Sequence, residues 1–446
     1  MWRCGVYGVL ITTFAGCASY QAAPLKPKYS ADEFAARRLD LGSPHEWDRA
    51  QLLSVALTQN PQLAVSRAEV KAALSHEITA AQVPNPDLTL QSEYARHDAH
   101  PWLYGVSLNW LLRSPERRRL DMAIAGFDTG NARLHLMDQA WTVRSALARA
   151  LSDWESCRRR LILLDRLTAA QDRLVAFEKK RVDAGEDSPN ELLTSEQARI
   201  EIDQERAELR VAIGAAQAAS AKALGVPPQA LDAMTFAWPE WGEPPPVDDA
   251  TLSASREQAL LSRADLGEAM GDYAAAEAKL KSSIARQYPE FTLSPGYYWD
   301  HGIAKFPFDV GFTLPLNRNK GEIAEARSDR ELAGQRMLAL QADIYGEIVA
   351  AERAEQTARL SAAAAERQLN GARRQQQAAD LGLRLGAGDL QDQLAAEIIA
   401  MRAELELLQM RAQVQALRNA LEDALHTPLS GPELSLAASL TLGAGL

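Results

Sequence analysis

The sequence is short of the features that mark most functional classes. Its formal net charge is -11, and since a nucleic-acid-binding surface needs a basic patch, we expect no nucleic-acid partner. It has three cysteines, of which only Cys17 and Cys157 remain after a predicted N-terminal cleavage. A disulfide framework is therefore not expected. Cys157 falls in a helical segment, where we expect an inert packed thiol.

Long apolar runs and catalytic motifs are also missing. Beyond the N-terminus there is no run of about 18 apolar residues, and the mean hydropathy is -0.25. This excludes a transmembrane helix, so any membrane crossing has to use strands. The sequence contains no Gly-x-Ser-x-Gly, no His-Glu-x-x-His, no phosphate loop and no paired-cysteine metal site. We therefore expect no enzymatic activity, no cofactor and no resident metal.

The N-terminus has the pattern of a targeting segment. Arg3 supplies the positive charge, and a short apolar stretch runs from Gly5 to Ala15. The following Phe14-Ala15-Gly16-Cys17 resembles a bacterial lipobox, which implies a signal peptide over residues 1–16 and lipidation of Cys17. The alternative is an ordinary signal cleavage near Ala18-Ser19.

Two halves of the chain repeat each other at an offset of 201 to 206 residues. The sequence Pro86-Asp87-Leu88-Thr89-Leu90 recurs as Pro289-Glu290-Phe291-Thr292-Leu293, and Gly105-Val106-Ser107-Leu108 recurs as Gly311-Phe312-Thr313-Leu314. A repeat this long is a duplicated half-protein rather than a solenoid unit. Each half has the same order of a short helix, two strands and a very long helical stretch.

The composition changes along the chain divide it into segments. Prolines interrupt the polar stretch before the first repeat, which predicts an extended tether, and they cluster again between the repeats, which predicts a semi-rigid linker. The predicted segments are 1–16 signal peptide, 17–44 tether, 45–226 first repeat, 227–250 linker, 251–428 second repeat and 429–446 C-terminal tail.

Each repeat ends in a long helical stretch. No proline lies between Pro315 and Pro428, and the matching stretch of the first repeat runs from Pro115 to Pro189. Some sixty helical residues span on the order of 100 Å, so the helices have to pack along one another. A heptad seam favours such packing, although a simple two-helix hairpin produces the same spacing. Its members are Leu394, Ile398, Met401, Leu405, Leu408 and Ala412.

Four short segments alternate apolar and polar residues with a period of two. Aromatic residues are scarce, yet 12 of the 28 fall in 94–110 and 288–312. Alternation with aromatics toward the ends is typical of membrane β-strands, although one face of a soluble β-sandwich also alternates. Four strands leave open edges, which a bilayer does not tolerate, so closure requires other chains. The predicted lipid-facing residues are Tyr104, Val106, Leu108, Trp110, Phe308, Val310, Phe312 and Leu314.

With its duplicated halves, paired strands and glycine turns, the chain resembles the TolC family of outer-membrane efflux ducts. The resemblance implies a mostly helical homotrimer, in which four strands per chain form a 12-stranded barrel above a periplasmic α-helical barrel. It also implies an outer-membrane location and, as partners, a periplasmic adaptor and an inner-membrane transporter. Three segments resemble the heavy-metal, CzcC-like branch, namely Asn60-Pro61-Gln62-Leu63, Pro84-Asn85-Pro86 and Gly105-Val106-Ser107-Leu108 followed by Arg117-Arg118-Arg119.

The most informative motif lies at the turns of the two long helical hairpins. Gly185 and the pair Gly386 and Gly388 can end one helix before the next begins. Both turns also fit helix caps, Ser188 with Glu191 and Asp389 with Asp392. The TolC resemblance implies that acids at Asp392, with Glu191 and Asp389 beside it, form a constricted periplasmic gate. Three copies would give a ring that favours cations.

The segments between paired strands contain histidines next to aspartates, His97-Asp98-Ala99-His100 and Asp300-His301. A metal ion could bind there in a trimer, but solvated loop residues are the simpler interpretation. The favoured function is the passive outer-membrane duct of a tripartite efflux system. The alternatives are the exit duct of a type I protein secretion system and a periplasmic coiled-coil adaptor that does not span the membrane.

Overall fold

The computed structural model describes residues 20–39, 46–97, 99–232 and 234–436. The predicted signal peptide, Cys17 and the end of the C-terminal tail lie outside these residues. Within the described part, two repeats of matching element order follow one another. The first repeat comprises α2 (Arg49–Gln59), α3 (Pro61–Ala81), β1 (Asp87–Tyr94), β2 (Trp102–Leu112), α4 (Pro115–Asp183) and α5 (Pro189–Leu224).

The second repeat follows the same plan with one more strand. Local sequence signals fix many of the helix starts in both repeats. Asp48 forms a capping box with Gln51 at the start of α2, and prolines occupy the first turns of α3, α4 and α5. The elements of the second repeat are α6 (Asp249–Ser262), α7 (Ala264–Ala285), β3 (Phe291–Asp300), β4 (Ile303–Lys305), β5 (Phe308–Phe312), α8 (Lys320–Arg384) and α9 (Leu390–Leu425).

The predicted extended tether is wrong over ten residues. Residues Pro27–Ala36 form helix α1, with Pro27 at its first position and every side chain exposed. Just beyond it, the Arg37 guanidinium donates to the backbone oxygens of Gln59 and Gly225 at 3.3 and 3.2 Å. The segment is therefore anchored to the first repeat at the end of α2 and the end of α5.

The long helices lie side by side, as their length requires. Helix α4 has 69 residues, which corresponds to about 100 Å, and α8 has 65. Helix α4 packs on α5 and α9, and α9 packs in turn on α8. The four helices thus form one layer in the order α5, α4, α9, α8.

The predicted heptad seam of α9 contacts the other repeat rather than its own hairpin partner. Ile398, Met401 and Leu405 pack with leucines of α4 and with Ile202 of α5. A different face of α9, containing Ala400, Ala403 and Leu407, packs on α8. The two faces together let α9 join both hairpins, so the two-helix hairpin interpretation of the seam is wrong.

The linker between the repeats belongs to the main core. Trp238 and Trp241 are buried against α4 and α2, and Phe236 pairs with Trp47 in a parallel β-bridge. The Trp241 indole donates to the Ser152 hydroxyl at 3.2 Å. The predicted semi-rigid linker is therefore a packed element that joins the two repeats.

Buried ion pairs cross this core. The Arg144 side chain is 1% exposed and pairs with Glu422 of α9 and with Glu433, 2.7 Å away in the C-terminal segment. Glu433 also lies 3.7 Å from Arg49 of α2. Elsewhere in the core, Arg418 pairs with Glu355 at 2.9 Å. Because an unpaired buried charge is costly, Glu433 holds the C-terminal segment against α2 and α4 of the first repeat.

The strands form one antiparallel sheet at the upper end of the long helices. Its order is β1-β2-β3-β4, and β5 also pairs with β3. The predicted fourth strand, 306–314, is shorter in the structure, because only Phe308–Phe312 form β5 and Leu314 lies beyond its end. Phe306 and Pro307 form a break between β4 and β5. Proline has no backbone N–H to donate to a ladder. In the described part of the chain, no helix is both long and apolar enough to cross a bilayer.

Candidate functional site

Two regions combine unusual chemistry with a defined geometry, the sheet and the two hairpin tips. In the sheet, the strand register places the predicted lipid-facing residues other than Leu314 on one face. Val106 is opposite Leu90 and Tyr297, and Val310 is opposite Leu293. Since directly opposed residues of antiparallel strands share a face, one apolar surface runs across all strands.

Aromatic residues flank this apolar face at both ends. At the loop end the Tyr94, Trp102 and Tyr104 rings contact one another, with centroids 4.9 and 5.7 Å apart. At the helix end Phe291 and Phe312 lie 5.8 Å apart. Mostly aliphatic side chains lie between the two aromatic groups, with Tyr297 opposite Val106 as an exception. Such an arrangement is typical of strand faces that contact lipid.

The opposite face of the sheet is mostly polar or small. Ser107 lies between Thr89 and Gly296 in register, and Asn109 donates from its amide to the Thr89 hydroxyl at 3.0 Å. Gly105 has no room for a Cβ, which would lie 2.2 Å from the Tyr298 ring. An alanine at position 105 would therefore displace this ring.

The edges of the sheet carry unused hydrogen-bonding groups. Strand β1 pairs only with β2, and β5 pairs only with β3. The outer backbone groups of both edge strands thus have no sheet partner within the described chain. Such edges are open to pairing with another strand.

At the other end of the molecule, the two hairpin tips have the same backbone turn. Gly185 and Gly386 adopt left-handed conformations with φ of +77° and +68°. The next residue in each case donates its N–H back into the preceding helix, Glu186 to Arg181 at 2.8 Å and Ala387 to Gly382 at 2.9 Å. This is a Schellman motif at both tips.

Gly388 has a different role from the one predicted for it. It is not among the described glycines with positive φ. A Cβ at Gly388 would lie 3.5 Å from the backbone of Gly382. This is an ordinary van der Waals distance, so Gly386 makes the left-handed turn and a side chain would fit at position 388.

The two acids at the start of α9 have different roles, since Asp389 caps the helix and Asp392 is exposed. The Asp389 carboxylate accepts the backbone N–H of Asp392 at 2.8 Å and so caps α9. The Asp392 side chain is exposed in the first turn of α9. Within the described chain its carboxylate forms no ion pair. The Asp392 carboxylate is therefore an exposed negative charge at the tip of the α8–α9 hairpin.

The predicted capping box of α5 is wrong. The Ser188 hydroxyl accepts from the N–H of Asn190 at 3.3 Å rather than from that of Glu191. The Glu191 carboxylate accepts instead from the Gln391 amide of the second tip, at 3.2 Å. Glu191 therefore links the hairpins and does not close its own helix.

Further contacts join the two tips. The Arg181 guanidinium donates to the Gln391 amide oxygen at 2.9 Å and pairs with Asp187 at 2.9 Å. Higher up, Arg173 pairs with Glu397 at 2.6 Å. Gln391 thus bridges Arg181 and Glu191, and the α8–α9 hairpin is tied to the α4–α5 hairpin.

Sequence reasoning missed one buried acid next to the tips. Glu178 of α4 is buried, and its Oε2 atom has no hydrogen-bond partner in the described chain. Burial raises the pKa of its carboxyl group, and Glu191 and Asp187 raise it further, whereas a hydrogen bond from Ser195 opposes this. No motif marks the position, because an isolated glutamate in a long helix is ordinarily solvated.

The histidines near the strand ends make local contacts. His301 Nδ1 lies 2.5 Å from Asp300 Oδ1, and Lys305 also pairs with Asp300. Asp98 lies outside the described residues. No group of three His, Cys, Asp or Glu side chains in the described part is arranged to hold a metal ion.

Several solved structures have the same architecture. The outer membrane protein VceC from Vibrio cholerae is 17% identical, with a TM-score of 0.69 over 86% of this chain and 97% of that chain. CusC is 17% identical, with a TM-score of 0.67 over 92% and 98%. The open state of the MtrE outer membrane channel from Neisseria gonorrhoeae is 16% identical, with a TM-score of 0.68 over 86% and 89%.

The chain has the fold of the TolC-family outer-membrane channels. No protein-family model and no curated protein sequence matches it. The TolC fold explains the duplicated halves, the sheet at one end and the two hairpin tips at the other. The heavy-metal branch stays a prediction, since identities of 17% or less establish the fold alone.

Proposed function

We propose that the protein is the passive outer-membrane duct of a tripartite efflux system and acts as a homotrimer. The observation that carries the proposal is the sheet itself. One face is apolar between two aromatic groups, the other is polar, and both edges are open. A bilayer requires such a sheet to close on itself.

Three copies of the sheet satisfy this requirement. Treating the interrupted β4 and β5 as one strand gives four strands per chain and twelve per trimer, an even number in the range of outer-membrane barrels. A barrel of this size leaves an aqueous lumen lined by the polar face. The helices of about 100 Å would then extend the lumen through the periplasm.

The fold suggests how the duct is coupled to an energy source. An inner-membrane transporter would supply the energy, and a periplasmic adaptor would connect it to the hairpin tips. Secretion of proteins by a type I system uses the same kind of duct and stays the alternative. An adaptor that never enters the membrane is disfavoured by the apolar sheet face.

The hairpin tips supply the gate in this proposal. Three Asp392 carboxylates around the trimer axis would repel one another and attract cations. The link from Arg181 through Gln391 to Glu191 holds the two hairpins of each chain together. Opening would require this link to break so that the α8–α9 hairpin can move.

Purified protein tests the proposal directly. In detergent, native mass spectrometry should show a trimer, and the same sample should form ion-conducting pores in a planar lipid bilayer. A folded monomer without conductance would overturn the proposal. A trimer without conductance would support the coiled-coil adaptor instead.

Lipidation of Cys17 is a separate part of the proposal. The lipobox predicts that radiolabelled or alkyne-tagged fatty acid labels the wild-type chain and does not label Cys17→Ala. Because the barrel contacts lipid by itself, some of the variant should still reach the outer membrane. Equal labelling of both chains would refute the assignment.

A further inference from the structure

The junctions that follow the two long hairpins are built alike, but they differ in one residue. Helix α5 ends at Gly225 and α9 ends at His426, and both residues are left-handed, with φ of +75° and +49°. In both, the following N–H returns to the preceding helix, Val226 to Ala221 at 3.0 Å and Thr427 to Glu422 at 3.3 Å. A backbone turn that favours glycine therefore carries a histidine in the second repeat.

The residue that braces this turn also differs. In the first repeat the Asn60 amide donates to the carbonyl oxygen of Ala223 at 2.8 Å. In the second repeat the Arg263 guanidinium donates to the matching oxygen of Ala424 at 2.7 Å. The second repeat thus keeps the brace but replaces a short neutral side chain with a long cationic one.

The space around the two turns differs accordingly. A Cβ at Gly225 would lie 2.4 Å from the backbone oxygen of Gln59, so the first repeat has no room for a side chain. In the second repeat the His426 ring fits and stacks on Trp141 at 5.2 Å. Beside it lies a cavity of about 260 Å³ that opens to solvent.

The cavity lining combines flat rings, apolar walls and hydrogen-bond donors. The rings are Trp141 and His426, and Met137, Ala259 and Leu425 supply apolar surface. Arg263 has five N–H groups, of which three are used, by Ala424 and twice by Asp265. The remaining N–H groups can only donate, so a ligand has to supply an acceptor.

The charges near Arg263 decide what kind of acceptor fits. Asp265 pairs with Arg263 at 2.7 Å, and the exposed Glu347 lies 3.9 Å away. Burial raises the pKa of the nearby Asp138 carboxyl group, Asp265 raises it further, and His135 and Arg263 lower it. The acidic groups of Asp138, Asp265 and Glu347 therefore lie near Arg263 and offset its positive charge. An anionic ligand gains little here, whereas a neutral carbonyl group can still accept from the guanidinium.

We propose that this cavity, at the junction of α4, α6, α7 and α9, binds a small neutral aromatic molecule with a carbonyl acceptor. The carbonyl oxygen accepts from Arg263, and the ring packs against His426 and Trp141. The site lies outside the sheet and the hairpin tips and does not depend on the channel proposal. This role explains why His426 occupies a position where the first repeat has glycine, because its ring forms one wall of the site.

Benzamide is a suitable probe, and full-length protein in detergent is the sample. Isothermal titration and saturation-transfer NMR should show saturable binding of benzamide, with weaker binding of benzoate and of toluene. His426→Gly and Arg263→Asn restore the residues of the first repeat, so both variants should fold. Each should weaken benzamide binding about tenfold or more, the scale of a lost ring contact or hydrogen bond.

The control is His97→Gly, which removes an exposed histidine from the loop after β1 and should bind benzamide like wild type. If wild type shows no saturable binding, the cavity holds water only and the proposal is wrong. It is also wrong if folded His426→Gly binds benzamide as tightly as wild type. Should Arg263→Asn fail to fold, the His426→Gly result decides alone.

Discussion

The Asp392 carboxylate is exposed at the start of α9, while Asp389 performs the capping. Asp392→Ala should therefore leave the cap intact and cost the helix only about 0.3–1 kcal/mol. If three such carboxylates surround the axis, the variant should conduct more and prefer cations less than wild type. Single-channel recording of purified trimers measures both properties.

Asp389→Ala is the matched control for this gate. It removes the cap, at about 1 kcal/mol, and keeps the Asp392 carboxylates. Its trimers should melt at a lower temperature with cation preference unchanged. Should Asp392→Ala match wild type in conductance and selectivity, the gate would have to lie elsewhere.

His426 should make the stability of the fold depend on pH. Burial, followed by the nearby Arg263 charge, lowers the pKa of its ring to about 4, from 6.5 when unfolded. The neutral ring is favoured by folding, so this stability is complete above about pH 6.5 and is lost as the pH falls toward 4. The loss reaches about 3 kcal/mol per chain.

The comparison with His426→Gly isolates this effect. Between about pH 7.5 and pH 4.5, the melting temperature of wild type should fall relative to that of the variant, because only wild type loses the contribution of the neutral ring. A constant difference across the range would show that the ring is protonated without cost.

At the residue level, the sequence predicted positions that follow from local geometry and missed those that follow from tertiary contacts. Gly185 and Gly386 were predictable because a helix end needs a left-handed residue. Ser188 was misassigned because Glu191 finds a partner in the other hairpin. His426 was missed, although alignment of the repeats, which pairs it with Gly225, gives the signal.

Among the elements, the sheet allows a test with neighbouring residues. Val106 lies on the apolar face of the central strand β2, and Ser107 on the polar face. An arginine facing lipid near mid-bilayer costs about 2–4 kcal/mol per chain. Val106→Arg should therefore reduce the amount of trimer in membrane fractions, measured by native gel, and Ser107→Arg should not.

Both variants change the same strand by the same side chain, so folding and export are matched. Equal loss of trimer in both would mean that the two faces do not differ in environment. Loss in Ser107→Arg alone would reverse the assignment of lipid and lumen.

The long helices could be predicted from composition, but their packing could not. Helices α4 and α8 can be predicted because these stretches are rich in good helix formers and contain no proline in their interiors. Helix α5 buries one residue in every seven along one line, namely Ser195, Ile202, Leu209 and Ala216. Only two of these four residues are large and apolar, so the sequence pattern does not reveal the buried line. The burial of Trp238 and Trp241 was not predicted, because the prolines around them indicate a linker.

For the whole molecule, the buried pair of Arg144 and Glu433 ties the C-terminal segment to helix α4 of the first repeat. Glu433→Ala leaves Arg144 with Glu422 alone and removes the nearby charge from Arg49. Removing one partner of a buried pair typically costs about 3–5 kcal/mol. The variant should melt at a clearly lower temperature, as followed by circular dichroism.

An exposed pair serves as the control for this prediction. Arg119 and Glu116 pair at 2.8 Å on the surface of α4, where solvent screens both charges and the pair contributes little to stability. Glu116→Ala should thus leave the melting temperature almost unchanged. A similar small effect from Glu433→Ala would mean that the C-terminal segment is not needed to hold the repeats together.

Pro307 has a consequence for the pairing of chains in the proposed trimer. Until such a trimer forms, the sheet edges of each chain stay open, and any other strand-forming polypeptide can compete for them. The break at Pro307 divides one edge into runs of three and five residues, β4 and β5. A foreign strand forms few hydrogen bonds with such a short run, so it dissociates before an aggregate grows. The edge of a second copy of this chain that matches the interruption would stay paired.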